Sequence, residues 1–562
     1  MAGPRALIAA LVLAGSVRAT SYSQAPDASK DAKEAEKTCR ILGMVVKLAD
    51  GTPIKNATVQ LDHLEDRQRT IATKTTGDGR FELKSVPAGQ YKLTVMRNGY
   101  VSAQYGQKKS SDPGAIFALS AGETKKDLMF RLIPAAVIAG RVFDEDGEPV
   151  PGASVTALRE TYSEGRRILA TSGYAETNDL GAFRLFGLSP GRYYLSATER
   201  GQVVGDKEFT RSSGQTGERG YARTYFPGTP DVARAAAINV REGEEIPGTD
   251  IALKEVTVHR VRGKVLNQVT HKPGQEVMVA LTPRTNRQEW DFGRQDEVSK
   301  ADGSFEIGNV VPGAYTIMAF WFDANEGKSD SAAQKIDVGE GDVDGVELII
   351  GTGATVQGRI VWEGKPSLER DELLIHASPT ETAFVWGGGG RVDANGQFVL
   401  KDMMAGDLRV QVFGASKDCY VKQITYGQTF VQDDVIGLSA GANPALEITL
   451  SSRGARVEGN ATDKDGLPAA GVWVVAVPEE ARRKNFRFFK SQTTDQYGRF
   501  DLHGLAPGNY KFFAWEGVER NAWENEDFLK AFEHQGKEIE VRDLDSVTLR
   551  LDLIGTKNAV NH

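Results

Sequence analysis

The chain has 562 residues, with 68 Lys and Arg against 76 Asp and Glu and a formal net charge of −8 at pH 7. This acidic balance argues against a general nucleic-acid binder, which needs a basic surface to displace counterions from the phosphate backbone. Two Cys exclude a disulfide-dense scaffold and a Cys-rich zinc module. In a chain with many Val, Thr and Tyr, the 61 Gly favour short strands joined by many turns.

The first 19 residues have the three parts of a secretory signal peptide: a positive charge at Arg5, an apolar run over residues 6–15, and a small-residue cleavage site at residues 17–19. An apolar run of about ten residues is too short to span a bilayer, which takes about 20. We therefore predict cleavage near Ala19, a secreted or periplasmic product, and no membrane span in the mature protein. The polar residues 20–38 are predicted to form a flexible linker.

A signature then recurs five times. Each copy has a Phe after a tight turn, a Gly at a second corner, and a closing Tyr or Leu ten residues after the Phe. The copies are Phe81, Gly89 and Tyr91; Phe183, Gly191 and Tyr193; Phe305, Gly313 and Tyr315; Phe398, Gly406 and Leu408; and Phe500, Gly508 and Tyr510. An opening Gly precedes each copy, at Gly43, Gly140, Gly263, Gly358 and Gly459. A fixed internal spacing repeated five times indicates tandem structural units.

Alternation of apolar and polar residues with period two, together with the Gly and Pro turns, predicts roughly seven short strands per unit. We predict an all-β chain of five tandem antiparallel β-sandwiches at residues 39–133, 134–254, 255–352, 353–452 and 453–562, the fourth with a degenerate signature. The signature Phe is expected to point inward. The Tyr is expected to cover the end of the sandwich and bond backbone through its hydroxyl; a row of ligand-stacking Tyr is the alternative. A minor helix is predicted at residues 524–535.

The motifs Gly-x-Val, Asp-Gly-x-Pro, Ala-x-Val, Asp-Gly-x-Phe and Pro-x-Gly-x-Tyr, in that order, resemble the carboxypeptidase regulatory-like domain. That family is similar to the B-type repeats of collagen-binding adhesins and to starch-binding-like sandwiches. The first, second and fifth copies match well, the third lacks the Asp-Gly-x-Pro turn, and the fourth lacks the closing Pro and Tyr. The resemblance implies a prealbumin-like seven-stranded sandwich, without catalysis of its own, in an exported bacterial multi-repeat protein.

Templates for catalysis and metal binding are missing from the sequence. No His begins a His-x-x-Glu or His-Glu-x-x-His zinc motif, and no phosphate loop is found. The acidic stretches at residues 144–147 and 463–466 lack the Glu that closes a calcium loop, and we interpret them as turns. We predict no catalytic residues, no metal and no cofactor.

Three Trp are candidates for contact with a carbohydrate or a protein: Trp321, Trp386 and Trp515. A flat indole can stack on a sugar ring, although ordinary partial burial is the alternative for each. Cys39 and Cys419 could form a disulfide if their units fold back on each other to within about 7 Å between Cα atoms. Otherwise they are two separate thiols.

The sequence thus favours an exported non-catalytic protein that binds carbohydrate or a cell surface. The alternatives are an adhesin-like spacer that binds an envelope or extracellular protein, an accessory to a peptidase encoded elsewhere, and a hydrolase with a divergent site. A polysaccharide or an envelope protein is the expected partner. The units could pack as a rod or as a compact cluster.

Overall fold

A computed structural model describes residues 38–555 apart from 67–68, 111, 200–218, 275–276, 285–293, 298–299, 324–327, 352, 366–367, 369–372 and 381–387. The predicted signal peptide, and the linker up to residue 37, lie outside the described residues. Strands dominate the fold, and they fall into five consecutive groups that we call units 1 to 5. Within the described ranges, no helix combines the length and the apolar character needed to cross a bilayer.

Unit 1 is a sandwich of two sheets. Its strands are β1 (Cys39–Lys47), β2 (Thr58–His63), β3 (Thr70–Lys74), β4 (Arg80–Val86), β5 (Gly89–Met96), β6 (Ala103–Gln104), β7 (Phe117–Leu119) and β8 (Thr124–Leu132). One sheet has the order β4-β1-β8, and the other has the order β3-β2-β5-β6 with β7 also paired to β5.

Unit 2 repeats this plan with extra strands. Its strands are β9 (Ala136–Phe143), β10 (Ser154–Ser163), β11 (Arg166–Glu176), β12 (Ala182–Leu188), β13 (Gly191–Thr198), β14 (Arg219–Ala222), β15 (Thr224–Tyr225), β16 (Ile238–Val240), β17 (Glu245–Ile246), β18 (Ile251–Ala252) and β19 (Lys254–Thr257). The two main sheets have the orders β12-β9-β17 and β11-β10-β13-β15, and β14 pairs with β19.

Units 3 and 4 follow the same plan. Unit 3 contains β20 (His259–Asn267), β21 (Lys272–Pro273), β22 (Met278–Pro283), β23 (Arg294–Glu297), β24 (Ser304–Val310), β25 (Gly313–Asp323), β26 (Lys328–Val338) and β27 (Val343–Ile350). Unit 4 contains β28 (Ala354–Glu363), β29 (Leu374–Pro379), β30 (Gly388–Arg391), β31 (Gln397–Met403), β32 (Gly406–Phe413), β33 (Tyr420–Tyr426), β34 (Thr429–Phe430), β35 (Val435–Leu438), β36 (Gly441–Ala442) and β37 (Leu446–Ser451). Their sheets have the orders β21-β20-β24, β23-β22-β25-β26, β31-β28-β37-β33-β34 and β30-β29-β32-β35.

Unit 5 carries a helix in addition to its strands. Its elements are β38 (Ala455–Thr462), β39 (Trp473–Pro478), β40 (Lys490–Thr493), β41 (Arg499–Leu505), β42 (Gly508–Glu516), α1 (Glu526–Phe532), β43 (Lys537–Val541) and β44 (Ser546–Gly555). Strand β44 pairs with both β38 and β42, so the two layers join into one seven-stranded sheet. Asn525 caps α1 by accepting a hydrogen bond from the Phe528 N–H at 3.0 Å. The helix predicted near the C-terminus is therefore present.

The opening strand of every unit is central in its sheet. It pairs antiparallel with the strand of the signature Phe and parallel with a strand near the end of the unit, as β1 does with β4 and β8 and β38 does with β41 and β44. The sandwich class is as predicted, with mostly antiparallel sheets. The parallel pair in each unit was not predicted.

The opening Gly and the signature Phe are cross-strand partners in all five units. In unit 1 a Cβ added to Gly43 would lie 2.6 Å from Phe81 Cζ and would also collide with the Leu128 carbonyl oxygen. The Phe ring occupies the space above the Gly in units 1, 3 and 4, and a backbone carbonyl oxygen leaves no room for a Cβ at the opening Gly of any of the five units. The partners are Gly43 and Phe81, Gly140 and Phe183, Gly263 and Phe305, Gly358 and Phe398, and Gly459 and Phe500.

The closing Tyr bonds backbone through its hydroxyl in each of the four units that have one. The hydroxyl donates to the carbonyl oxygen four residues upstream: Tyr91 to Pro87 at 2.9 Å, Tyr193 to Ser189 at 2.7 Å, Tyr315 to Val311 at 2.7 Å, and Tyr510 to Ala506 at 3.0 Å. Leu408 replaces the Tyr in unit 4 and has no hydroxyl to donate. The Tyr residues hold the ends of the sandwiches, and the alternative of a ligand-stacking row is not supported.

Each unit has its own large hydrophobic cluster, centred on its signature Phe. Unit 5 has a second cluster on the opposite face of β42, where α1 covers Phe513 and Trp515. Both faces of this strand are therefore buried.

Units 1, 2 and 4 pack against unit 5. Between units 1 and 5, the Ile116 N–H donates to the Thr494 carbonyl at 3.1 Å, and the Gln496 side-chain amide makes two hydrogen bonds with the backbone of Ala118, at 3.1 and 3.0 Å. Between units 2 and 5, Asn525 Nδ2 donates to the Gly165 carbonyl at 2.9 Å. The chain therefore folds back far enough for units 1 and 2, which are distant in sequence, to contact unit 5.

Candidate functional site

Trp515, which the sequence offered as a contact for carbohydrate or protein, is not at the surface. It is 0 % exposed and stacks on Phe513 with ring centroids 4.4 Å apart. Trp523 lies parallel to it at 6.4 Å, and Phe528 and Phe532 meet it edge-on. The candidate role for Trp515 was wrong, because α1 covers the face of β42 on which the indole lies.

Of the other two candidate Trp, the structure describes only Trp321. Trp321 is half-buried against the core of unit 3. Trp386 lies outside the described residues. The two candidates that the structure describes, Trp321 and Trp515, belong to the cores of different units and do not form a common stacking surface.

Cys39 and Cys419 are not joined by a disulfide, so the alternative of two separate thiols is the one observed. Cys39 is buried in the core of unit 1, where its Sγ donates to the Ser120 carbonyl at 3.0 Å. Cys419 is buried at the junction of units 4 and 5. Burial raises the pKa of the Cys419 thiol, and the neighbouring Asp418 carboxylate raises it further.

The first Asp of each acidic turn accepts hydrogen bonds from the backbone of its own turn. Asp144 Oδ1 accepts hydrogen bonds from the N–H groups of Asp146 and Glu148, and Asp463 Oδ1 accepts two such bonds in the matching turn of unit 5. Among the residues described, no group of three or more His, Cys, Asp or Glu is placed to hold a metal ion.

A concavity lies between units 4 and 5. It is a half-open cavity of 520 Å³, and we call it the junction cavity. Residues of β32 and of the loop after it, from Arg409 to Lys417, form one wall, and the loop between β39 and β40 forms another. Asn485 fixes that loop, because its buried side-chain amide donates to the Gln432 carbonyl of unit 4 at 2.8 Å.

Four cationic side chains and one carboxylate line the junction cavity: Arg409, Lys417, Arg487, Lys490 and Asp434. The Arg487 guanidinium pairs with Asp434, whose side chain is 7 % exposed. Arg409 Nε lies 3.3 Å from a carboxylate oxygen of the more exposed Glu164 in unit 2. Both guanidinium groups are themselves well buried, with 16 % and 17 % of the Arg409 and Arg487 side chains exposed.

Burial disfavours the charged forms of two of these cations. It lowers the pKa of Arg487 to about 10, so this guanidinium remains charged at neutral pH. It also lowers the pKa of the Lys490 ammonium group. No acidic partner for Lys490 is found among the described residues, so its charge in the free protein is not balanced by a carboxylate.

Aromatic rings complete the lining. Phe486 and Phe488 come from the loop of unit 5, and the guanidinium groups of Arg409 and Arg487 lie 5.5 and 4.7 Å from their respective ring centroids. Phe413, at the end of β32, is 49 % exposed at the rim. The cavity thus combines exposed ring surface with buried positive charge.

A second cluster closes the junction beside the cavity. His503 of unit 5 has its Nδ1 2.6 Å from Asp418 of unit 4 and its Nε2 2.9 Å from Asp501. Burial opposes ionisation of Asp501, but hydrogen bonds from Arg456 and His503 outweigh it and lower the pKa of this carboxyl. These contacts hold units 4 and 5 at a fixed distance.

Sequence reasoning missed the junction cavity, although one signal was available. Five of the nine residues 482–490 are Lys or Arg, and three of the others are Phe. A basic and aromatic run of this kind between two strands indicates a loop with a binding or docking role. The residues of unit 4 that face it give no such signal, because they come together only when the units dock.

The fold defines a chain of tandem β-sandwiches, and comparison with known proteins assigns its first two units. Residues 40–130 and 137–219 match the carboxypeptidase regulatory-like domain family. Two segments of the chain are therefore similar to this family, and they lie in the first and second units, where the motifs of the sequence carry the same resemblance. No curated protein sequence matches the chain.

Several solved structures are similar to parts of the chain. A minor pilin of Streptococcus agalactiae is 15% identical, with 39% of this chain and 97% of that chain covered and a TM-score of 0.23. Two B repeat units of the collagen-binding protein of Staphylococcus aureus are 12% identical, with 74% and 100% covered and a TM-score of 0.12. The TIE protein of Bacillus anthracis is 11% identical, with 75% and 74% covered and a TM-score of 0.15. Scores this low carry no argument about function, and the fold is established by the strand pairing above.

Proposed function

We propose that this protein is an exported, non-catalytic binding protein that takes part of a cell-surface or extracellular polysaccharide into the junction cavity. The observation that carries the proposal is the cavity itself. Its volume of 520 Å³ lies within the range of roughly 300–1,000 Å³ typical of ligand sites, and it combines aromatic rings with a few charged groups. The predicted signal peptide supports export.

The chemistry of the cavity supports binding in place of turnover. Its one thiol, Cys419, is buried and has a raised pKa, which keeps it protonated and a poor nucleophile. The described lining residues include no His that could act as a general base beside it. The arginines are engaged with carboxylates and rings, an arrangement suited to recognition.

We also propose that the five predicted sandwiches at 39–133, 134–254, 255–352, 353–452 and 453–562 are the structural domains, since each of the first four ranges, and the described part of the fifth, encloses one large core.

The packing of units 1, 2 and 4 on unit 5 favours a compact binding body over the alternative of an extended spacer. A compact body of this length has a radius of gyration of roughly 24 Å. Five units in line, each about 30 Å long, would give about 45 Å. Small-angle scattering distinguishes the two.

Binding is tested with the mature full-length protein on a panel of insoluble neutral and acidic polysaccharides. We expect retention on at least one, and we expect Phe413→Ala at the cavity rim to abolish it. Phe186→Ala is the matched control, because Phe186 is 73 % exposed on unit 2 and does not line the cavity. No retention on any polysaccharide, or equal loss in both variants, would refute the proposed site.

A further inference from the structure

The charge of the junction cavity identifies the class of saccharide, on the assumption that the cavity is the binding site proposed above. We propose that it binds a uronic acid unit of an acidic polysaccharide. The sugar carboxylate would lie at Lys490 and Arg487, with a sugar ring against the aromatic lining.

Positive charge outweighs negative charge in the lining of the cavity. Of the charged side chains that line the cavity, four are cationic and only Asp434 is anionic. Asp434 is committed to Arg487, and Arg409 is committed to Glu164. Lys490 is left without a carboxylate partner among the described residues, and its pKa is lowered by burial. A bound carboxylate would restore a charge-assisted pair at this position.

Hydrogen-bond donors that lack an acceptor also favour a carboxylate ligand. Arg487 Nε is buried and has no hydrogen-bond acceptor in the described part of the chain. A buried donor without an acceptor is costly, so a ligand that brings acceptor oxygens recovers free energy that the empty site forgoes. A carboxylate supplies two such oxygens, and the planar guanidinium is well suited to them.

The shape of the site favours a chain of sugar rings. A second cavity of 300 Å³ adjoins the first and shares Lys417 and Lys490 with it. The rim residue Phe413 offers an exposed ring at the other side. Lys417 is already paired with Glu65, and Glu65 and Asp501 line the second cavity. A linear polymer could therefore place one ring in each cavity, with its carboxylate at Lys490 on the side of the junction cavity. A peptide C-terminus has a single carboxylate and uses only part of this surface.

The experiment measures binding to the mature full-length protein by titration calorimetry. The probes are tri-galacturonate, its methyl ester of equal length, and the tripeptide Gly-Gly-Phe. The variant is Lys490→Met, which removes the charge and preserves most of the side-chain volume. The matched control is Lys484→Met, since Lys484 is exposed on the same loop and does not line either cavity.

We expect tri-galacturonate to bind, the affinity to fall with added salt, and Lys490→Met to weaken it by tenfold or more while Lys484→Met leaves it unchanged. Equal binding of the acid and the methyl ester would overturn the uronate proposal while leaving a saccharide site in the cavity intact. Binding of the tripeptide in preference to tri-galacturonate would overturn it as well. Undiminished binding by Lys490→Met would show that the carboxylate does not lie at the junction cavity.

Discussion

Replacement of Trp515 by Ala tests whether this residue is part of the hydrophobic core or part of a ligand-binding surface. The indole is fully buried between β42 and α1, stacked between Phe513 and Trp523. Burial of about 200 Å² of aromatic surface at about 25 cal/mol per Å² contributes roughly 5 kcal/mol. Measured Trp→Ala changes in protein cores cost about 3–5 kcal/mol, so we expect the free energy of unfolding of unit 5 to fall by that amount.

Trp515→Phe is the matched variant. Trp515 Nε1 is buried and has no hydrogen-bond acceptor among the described residues, so the Phe removes an unsatisfied polar group as well as part of the ring. We therefore expect Trp515→Phe to change the free energy of unfolding by about 1 kcal/mol or less.

The assay is hydrogen exchange of the full-length protein, followed at the amides of β42 and α1, because a chain of several units need not unfold in two states. Trp515→Ala should speed exchange there by at least a hundredfold under conditions where exchange reports the opening equilibrium. Exchange within threefold of the wild type would refute the buried position of the indole.

Two further predictions concern a carboxyl and a hydroxyl. Burial raises the pKa of Glu524 to about 7, against the effect of the hydrogen bond from the Gly165 backbone of unit 2. The folded state therefore binds this proton more tightly than the unfolded one, and stability falls as pH rises from about 4.5 to 7, by on the order of 2 kcal/mol. Glu524→Gln should remove this pH dependence of exchange at the contact between units 2 and 5, and an unchanged slope would contradict the assignment. Tyr193→Phe deletes the donor to the Ser189 carbonyl and should destabilise unit 2 by about 1 kcal/mol in the same assay. The control is Tyr174→Phe, which changes an exposed ring of the same unit and should have no effect. Equal effects of the two substitutions would show that the Tyr193 hydroxyl contributes nothing to stability.

The features that sequence reasoning predicted correctly are local. In the Asp-Gly-x-Phe motif, Gly79 has φ of 75°, and the turn it forms delivers Phe81 to the inner face of β4. The closing Tyr91 needs only the carbonyl four residues before it. Both features involve residues only a few positions apart in the chain, so the sequence shows them as motifs of fixed spacing.

The features that were missed depend on distant parts of the chain. Along β42, Phe512 and Ala514 face one cluster while Phe513 and Trp515 face the other. Alternation predicts the two faces, but only the return of α1 over the second face decides that Trp515 is buried. The junction cavity is harder still to predict from the sequence, because Arg409 and Arg487 come together there only when two units dock.

The parallel pairing of the first and last strands sets how a unit responds to tension. In unit 5, β38 and β44 lie side by side from Arg456 opposite Ser546 to Thr462 opposite Asp552. Because the two strands run in the same direction, the entering and departing chain leave the sheet at opposite ends. A pull on both ends loads the whole row of hydrogen bonds in shear at once, where a hairpin would open one bond at a time. A unit built in this way resists a pull on its two ends through all of these hydrogen bonds together.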